Sequence, residues 1–206
     1  ELNNEKVIGW MQDRMEFGPR ALGNRSIIAD PRHPFMQKKL NLKVKFRESF
    51  RPFAPSVLRE DLNLWFELNS DSPYMLFVSE IKKNKRLDLS KIDKEVSGFD
   101  KLSVPRSIVP AITHVNNTSR VQTVHRDTNR RYHKLISKFK EKTGCPLIIN
   151  TSFNIRGEPI VCSPTDAFKC FMGTDIDFLI IGNYFLSKNL QRTELKEDYS
   201  RKYELD

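Results

Sequence analysis

Pro146-Leu-Ile-Ile-Asn150-Thr-Ser-Phe-Asn154 is the stretch that decides the fold class. Pro146 to Ile149 is a continuous apolar run of strand length, and a strand buried on both faces needs no polar alternation. The run discharges into small polar side chains, which is how an open α/β sheet furnishes a ligand crevice at its strand ends. Helices are expected on both sides in sequence. Upstream, Asp127 or Thr128 can cap a helix in which Tyr132, Leu135, Ile136 and Phe139 recur on one face, and Gly144 suits its left-handed end. Downstream, Ser163 caps, Pro164 takes the first helical position, Asp166 lies nearby, and Ala167, Phe168, Phe171 and Met172 bury one side.

Outward from that unit, strands are expected at Val7–Gln12, Ser26–Ala29, Met75–Ile81, Ala111–Val115, Arg120–Val124 and Phe178–Leu186. Shorter helices are expected over Pro34–Leu42 and over Asp61–Leu68, where Leu62, Trp65 and Phe66 share a face, and Pro19 can open another. Residues 82–107 read as a charged, irregular and partly mobile loop or insertion. Asn116-Asn-Thr-Ser119 has strong turn chemistry. Strands alternating with helices, and several short strands in succession, fit an α/β fold: a twisted mixed sheet with helices packed on its faces. Residues 1–190 form one domain in this reading, and 191–206 a loosely attached charged tail.

Composition narrows the function classes. Of 206 residues, 38% are hydrophobic and 30% charged, with no apolar run of membrane-spanning length and no basic-then-apolar signal pattern, so a cytoplasmic location is expected. Cys145, Cys162 and Cys170 form no Cys-x-x-Cys pair and the four histidines lack ligand spacing, so no protein-bound metal is predicted. The net charge of +9 is concentrated. Residues 1–60 hold 12 lysines and arginines against 7 acids, and residues 120–142 hold 8 against 2. Two such segments suit either a phosphate pocket or an RNA-binding face.

Lys45-Phe-Arg-Glu-Ser-Phe-Arg-Pro-Phe-Ala-Pro-Ser56 interleaves cations with aromatics and prolines. As an extended segment it would anchor Phe46 and Phe50 in the core and turn Lys45, Arg47 and Arg51 toward a cavity. Guanidinium forks with an ammonium point charge suit phosphate. Arg20 raises the same possibility: a cation at a helix N-terminus opposes the helix dipole unless an anion lies between them. The bland alternatives are a basic strand facing water, and a Gly-Pro turn whose arginines pair with Glu16 or Asp30.

Four motifs occur in order: Phe17-Gly-Pro-Arg-Ala-Leu-Gly-Asn-Arg-Ser-Ile27, Arg51-Pro-Phe-Ala-Pro-Ser-Val57, His114 with Ser119-Arg-Val-Gln-Thr-Val124, and Asn150-Thr-Ser-Phe-Asn154 followed by Gly157-Glu-Pro-Ile-Val161. Together they resemble the C-terminal domain of the NodU-type O-carbamoyltransferases, from about Val7 to Lys188. The resemblance implies a YrdC-like fold that converts carbamoyl phosphate and ATP, with Mg²⁺ on the nucleotide, to carbamoyl adenylate. In that family an N-terminal domain of the actin-like ATPase superfamily passes the carbamoyl group to an acceptor hydroxyl on a small molecule such as a sugar. The chain is then expected to be an excised domain or a truncated relative of such an enzyme.

Carried over by motif, Lys45, Arg51 and Arg20 would be catalytic, and Arg120, Asn150, Thr151 and Ser152 would bind substrate and nucleotide. His114 is the weakest member, better suited to satisfying a loop carbonyl than to orienting a phosphate. Asp13 stands where the family commonly has Gly, and Asn116-Asn117 where it commonly has Asp-Gly. Two other readings compete with catalysis: a basic RNA- or nucleotide-binding module without turnover, using the cationic helix of residues 128–142, and an idle domain that docks on the N-terminal partner.

Overall fold

The computed structural model describes residues 1–89, 96–196, 198 and 199. Its centre is a seven-stranded sheet in the order β6-β3-β7-β2-β1-β8-β9. The strands are β1 (Ile8–Met11), β2 (Arg25–Ala29), β3 (Ala54–Leu58), β6 (Gln122–Val124), β7 (Leu147–Ser152), β8 (Phe178–Ile181) and β9 (Tyr184–Ser187). β3 runs parallel to β6 and β1 parallel to β8, while the remaining neighbours are antiparallel, so the sheet is mixed as expected. A separate pair, β4 (Val78–Glu80) and β5 (Thr118–Arg120), forms a small second sheet.

β7 lies in the middle of the large sheet with Leu147 to Asn150 fully buried, and it continues to Ser152, so the polar residues are part of the strand. Helix α3 (Arg130–Thr143) packs on β3 and β7 through Tyr132, Ile136 and Phe139. Helix α4 (Pro164–Met172) packs on β1 and β8. Gly144 is left-handed (φ 73°), and Ser163 and Asp166 close a reciprocal capping box, as expected. The cap of α3 is Asn129 rather than Asp127 or Thr128: its side chain accepts from the Tyr132 N–H. Short helices α1 (Met36–Leu40) and α2 (Leu62–Trp65) complete the regular structure, and Leu62, Trp65 and Phe66 are buried together.

Several expectations are corrected. No helix forms after Pro19. Instead Glu16 Oε1 accepts from the Leu22 and Asn24 N–H groups at 2.7 and 2.8 Å and ties that segment into a loop. Gly23 sits there at φ +114° with the Tyr132 ring 2.5 Å from where a Cβ would stand. Ala111–Val115 is a 3-10 turn (Pro110–Ile112) and loop, not a strand. Arg120–Val124 is two strands, because the chain leaves the small sheet at Arg120 and enters the large one at Gln122. Phe178–Leu186 is a hairpin, turning at Gly182 (φ 57°) and Asn183. Of the expected irregular, partly mobile loop over 82–107, the described residues hold 3-10 turns at Lys83–Lys85 and Gly98–Ser103 and a bridge between Arg86 and Ser107, and residues 90–95 lie outside the described residues. The tail is more firmly held than expected at one point, where Tyr199 is buried with its ring against Gly173.

Asp13 (φ 42°) and Asn117 (φ 61°) adopt left-handed backbone. Both are positions for which the resemblance implies Gly, and short polar side chains tolerate that conformation best among non-glycines.

Candidate functional site

The segment before β3 is not extended as its alternation suggests. Helix α1 runs into a single π-helical turn, Asn41–Lys45, which ends with Phe46 left-handed at φ 49°. Residues 46–53 then form a loop that Asn41 organises. Buried Asn41 donates from Nδ2 to the Ser49 and Arg51 carbonyls at 3.0 and 2.8 Å, and its Oδ1 accepts from Arg47 Nε at 2.6 Å. Phe53, rather than the half-exposed Phe50, is the buried anchor, and Arg47 lies over its ring at 5.0 Å.

Arg47 thereby meets two arginines from distant parts of the chain. Arg20, Arg47 and Arg120 line one cavity of about 160 Å³ with Asn150, Thr151 and Ser152; Pro52, Phe53 and Met75 are among its apolar walls. Among the described residues no carboxylate lines it. Arg20 makes no ion pair or hydrogen bond among the described residues, and its Nε is buried without a partner. Burial, and then the proximity of Arg20, lower the pKa of Arg120. Burial, and then Arg51, pull Arg47 down to about 10. Arg47 has Glu48 nearby, whereas guanidinium groups brought together as Arg20 and Arg120 are, cost free energy unless an anion joins them. Met75 forms part of the wall with φ 56°, a strained setting for an unbranched side chain and one that tends to mark ligand sites.

A second cavity of about 450 Å³ shares Arg47 and Ser152 with the first and adds Lys45, Arg51, Asn154, Arg156 and Glu158. Lys45 is 4% exposed, so it does not project freely as an extended strand would allow. Its ammonium faces four oxygens: the Ser152 carbonyl at 2.6 Å, the Asn154 carbonyl and Oδ1 at 2.8 Å, and Ser152 Oγ at 3.3 Å. Burial, then Arg47, draw its pKa down to about 7. Lys45 therefore fastens the end of β7 to the π-turn and sits at the edge of proton loss near neutrality. Arg51 is exposed and pairs with Glu48 at 3.3 Å, a solvent-screened pair that leaves the guanidinium accessible.

His114 does not line either cavity. Its Nδ1 meets Thr118 Oγ1 at 2.9 Å, and burial followed by Arg120 lowers its pKa, which favours the neutral ring. The carbonyl partner foreseen for it is a hydroxyl instead. It borders a larger neighbouring cavity of about 510 Å³ with Phe35, Phe50 and Pro52. The alternative pairings for the arginines also fail, since Glu16 is used by backbone N–H groups and Asp30 binds Arg32.

Thus Arg20, Arg120, Asn150, Thr151 and Ser152 share one cavity, Lys45 and Arg51 the adjoining one, and His114 neither. Arg47 joins the two, as the alternation of cations and aromatics suggested without assigning it a ligand role. Asn41 and Arg156 were not foreseen. Asn41 carries no sequence signal, because its task is local to a turn of unusual pitch; Arg156 stands before Gly157, whose left-handed φ of 75° marks a turn next to the polar strand end.

The family model described as Carbamoyltransferase C-terminus matches residues 1–188. The chain belongs to that family. An uncharacterized protein of Synechocystis sp. is 53% identical over 97% of this chain and 33% of its own length. Nodulation protein NolNO of Sinorhizobium fredii is 46% identical over 95% of this chain and 26% of its own. The 3'-hydroxymethylcephem-O-carbamoyltransferase of Streptomyces clavuligerus is 33% identical over 86% of this chain and 30% of its own. The chain thus spans about a third of the length of the curated relatives it matches. Among the described residues no helix is long and apolar enough to cross a membrane.

Proposed function

We propose that this carbamoyltransferase-family domain binds carbamoyl phosphate and ATP and forms carbamoyl adenylate for transfer to an acceptor hydroxyl. The observation that carries the reading is the meeting of Arg20, Arg47 and Arg120 around one small cavity that no carboxylate lines. Two polyanions repel one another, and fixed cations that need no reorganisation are the most effective way to hold both. In atoms, water takes the phosphoryl group of carbamoyl phosphate and leaves carbamate and phosphate. A carbamate oxygen then attacks the α-phosphorus of ATP, the bond from that phosphorus to its bridging oxygen breaks, and pyrophosphate departs. Mg²⁺ enters with the nucleotide phosphates.

Arg20, Arg47 and Arg120 offset the charge that builds on the phosphoryl oxygens, while Lys45 keeps the Ser152–Asn154 strand end in register and contributes a charge when protonated. No side-chain nucleophile is required. The passage of the carbamoyl group to its acceptor belongs in this reading to the remainder of a longer protein, as the one-third coverage of the relatives suggests. Incubation of the chain with ATP, Mg²⁺ and carbamoyl phosphate, with phosphate and pyrophosphate both measured, tests the proposal. Pyrophosphate release that depends on carbamoyl phosphate supports it; release of phosphate alone from either substrate contradicts it.

A further inference from the structure

Resting on that reading of the cavity, we propose that Asn150 Oδ1 accepts a hydrogen bond from the carbamoyl NH₂ group. Gln122, Ser56 and Tyr132 hold it in that orientation, and the site thereby selects a carbamoyl over an acyl phosphate of equal size. Asn150 is 1% exposed and lines the cavity beside the three arginines. Its Nδ2 donates to the Ala21 carbonyl at 3.0 Å and to Gln122 Oε1 at 2.8 Å. Its Oδ1 is buried and has no partner among the described residues.

Which end of a buried amide is oxygen follows from its neighbours. The Ala21 carbonyl can only accept, so the amino end of Asn150 faces it. The Leu22 carbonyl likewise takes Gln122 Nε2 at 2.8 Å, which turns Gln122 Oε1 toward Asn150. That oxygen also accepts from Ser56 Oγ at 2.5 Å, and Ser56 Oγ in turn accepts from the Tyr132 hydroxyl at 3.0 Å. Two backbone carbonyls at one end and a buried tyrosine at the other thus fix every amide in the chain. The register explains the meeting: Gln122 stands opposite Ser56 and Asn150 opposite Ala54, all on one face of the sheet.

The arginines of this cavity are donors suited to phosphoryl oxygens. Asn150 Oδ1 is the opposite: an acceptor that a phosphate dianion would repel and a methyl group could not satisfy. A carbamoyl group supplies two N–H donors alongside the phosphate. Acetyl phosphate has nearly the same shape and charge but places CH₃ where the NH₂ would be, so it leaves the buried oxygen unpaired.

The test is calorimetric titration of the chain with carbamoyl phosphate, acetyl phosphate and inorganic phosphate. The wild type is expected to prefer carbamoyl over acetyl phosphate by roughly tenfold or more, the usual penalty for leaving a buried acceptor unpaired. Gln122→Met removes one of the two acceptors that orient Asn150 and is expected to lower the ratio, a change that general loosening of the fold would not produce. Equal binding of carbamoyl and acetyl phosphate by the wild type overturns this inference and leaves the anion site standing, and requires no variant. A ratio unchanged in Gln122→Met overturns the positioning role of Gln122. Binding of none of the three ligands removes the reading of the cavity itself, and this inference with it.

Discussion

Among the described residues, two of the basic hollows are built on opposite principles. At the end of α4, a cavity of about 610 Å³ is lined by Lys6, Lys39, Lys43, Lys188 and Lys196 together with Asp175 and Asp177. Most of those cations are answered from within the fold. Lys6 and Lys39 meet Asp177 at 3.3 and 3.4 Å, Lys43 meets Asp175 at 3.7 Å, and Lys188 donates to the Phe171 and Thr174 carbonyls. The arginine cavity contains the scarcer kind of charge: guanidinium groups brought together with no acid among its walls. Lysines that serve the fold carry their counter-charges with them. Arginines gathered where no acid lines the wall mark the place where a ligand completes the electrostatics.

The contrast breaks first, and by the largest margin, if arginine removal harms the fold rather than the chemistry. Arg120→Ala and Arg20→Ala are each expected to cut carbamoyl-phosphate-dependent pyrophosphate release by about 10²–10³-fold, the usual cost of losing one charge-stabilising donor. Their thermal midpoints should stay level or rise, because a like-charge contact is relieved. Steady-state kinetics beside a melting curve separates the two effects. A melting loss in proportion to the activity loss would make these arginines structural.

Proton loss from Lys45 should act on the same cavities. Its ammonium persists below about pH 7 and is lost as pH rises through that value, so kcat/KM should fall by up to tenfold per pH unit on the alkaline side. Bound phosphate favours the charged form, so the corresponding fall in kcat should lie at higher pH. A pH profile flat from 6 to 9 on the ~10.4 scale of an unperturbed lysine would show that Lys45 stays charged.

The lysine cavity should respond in reverse. Asp177→Asn weakens the anchor of Lys6 and Lys39 and changes the acceptor of the Val7 N–H, now bound at 2.8 Å. Denaturant unfolding should show a loss of about 1–2 kcal/mol with turnover unchanged. Tyr132→Phe, the smallest change, removes one buried hydroxyl donor to Ser56 and should cost about 1 kcal/mol in the same assay.

How legible this was from the amino acids depends on the range of the forces involved. Buried runs and caps are local, so β7, α3 and α4 could be read from Leu147–Ile149, Gly144 and Ser163-Pro164. The π-turn at Asn41–Lys45 could not, because its hydrogen bonds to the carbonyls of Ser49 and Arg51 form only once the following loop has closed. The Gly182-Asn183 turn carried a signal that the apolar run around it obscured. Arg20, Arg120 and Asn150 were readable as residue types, whereas their sharing of one cavity depends on the chain crossing between sheets at Arg120 and on the Glu16-bound loop replacing a helix. The pairing of Lys6 and Lys39 with Asp177, over 171 and 138 positions, lay beyond any local pattern.

The most direct trial is a crystal structure of the chain soaked with carbamoyl phosphate. The account predicts the phosphate within hydrogen-bonding distance of Arg20, Arg47 and Arg120, with its amide end at Asn150. Phosphate seated among Lys6, Lys39 and Lys43, with the arginine cavity unchanged, would contradict it.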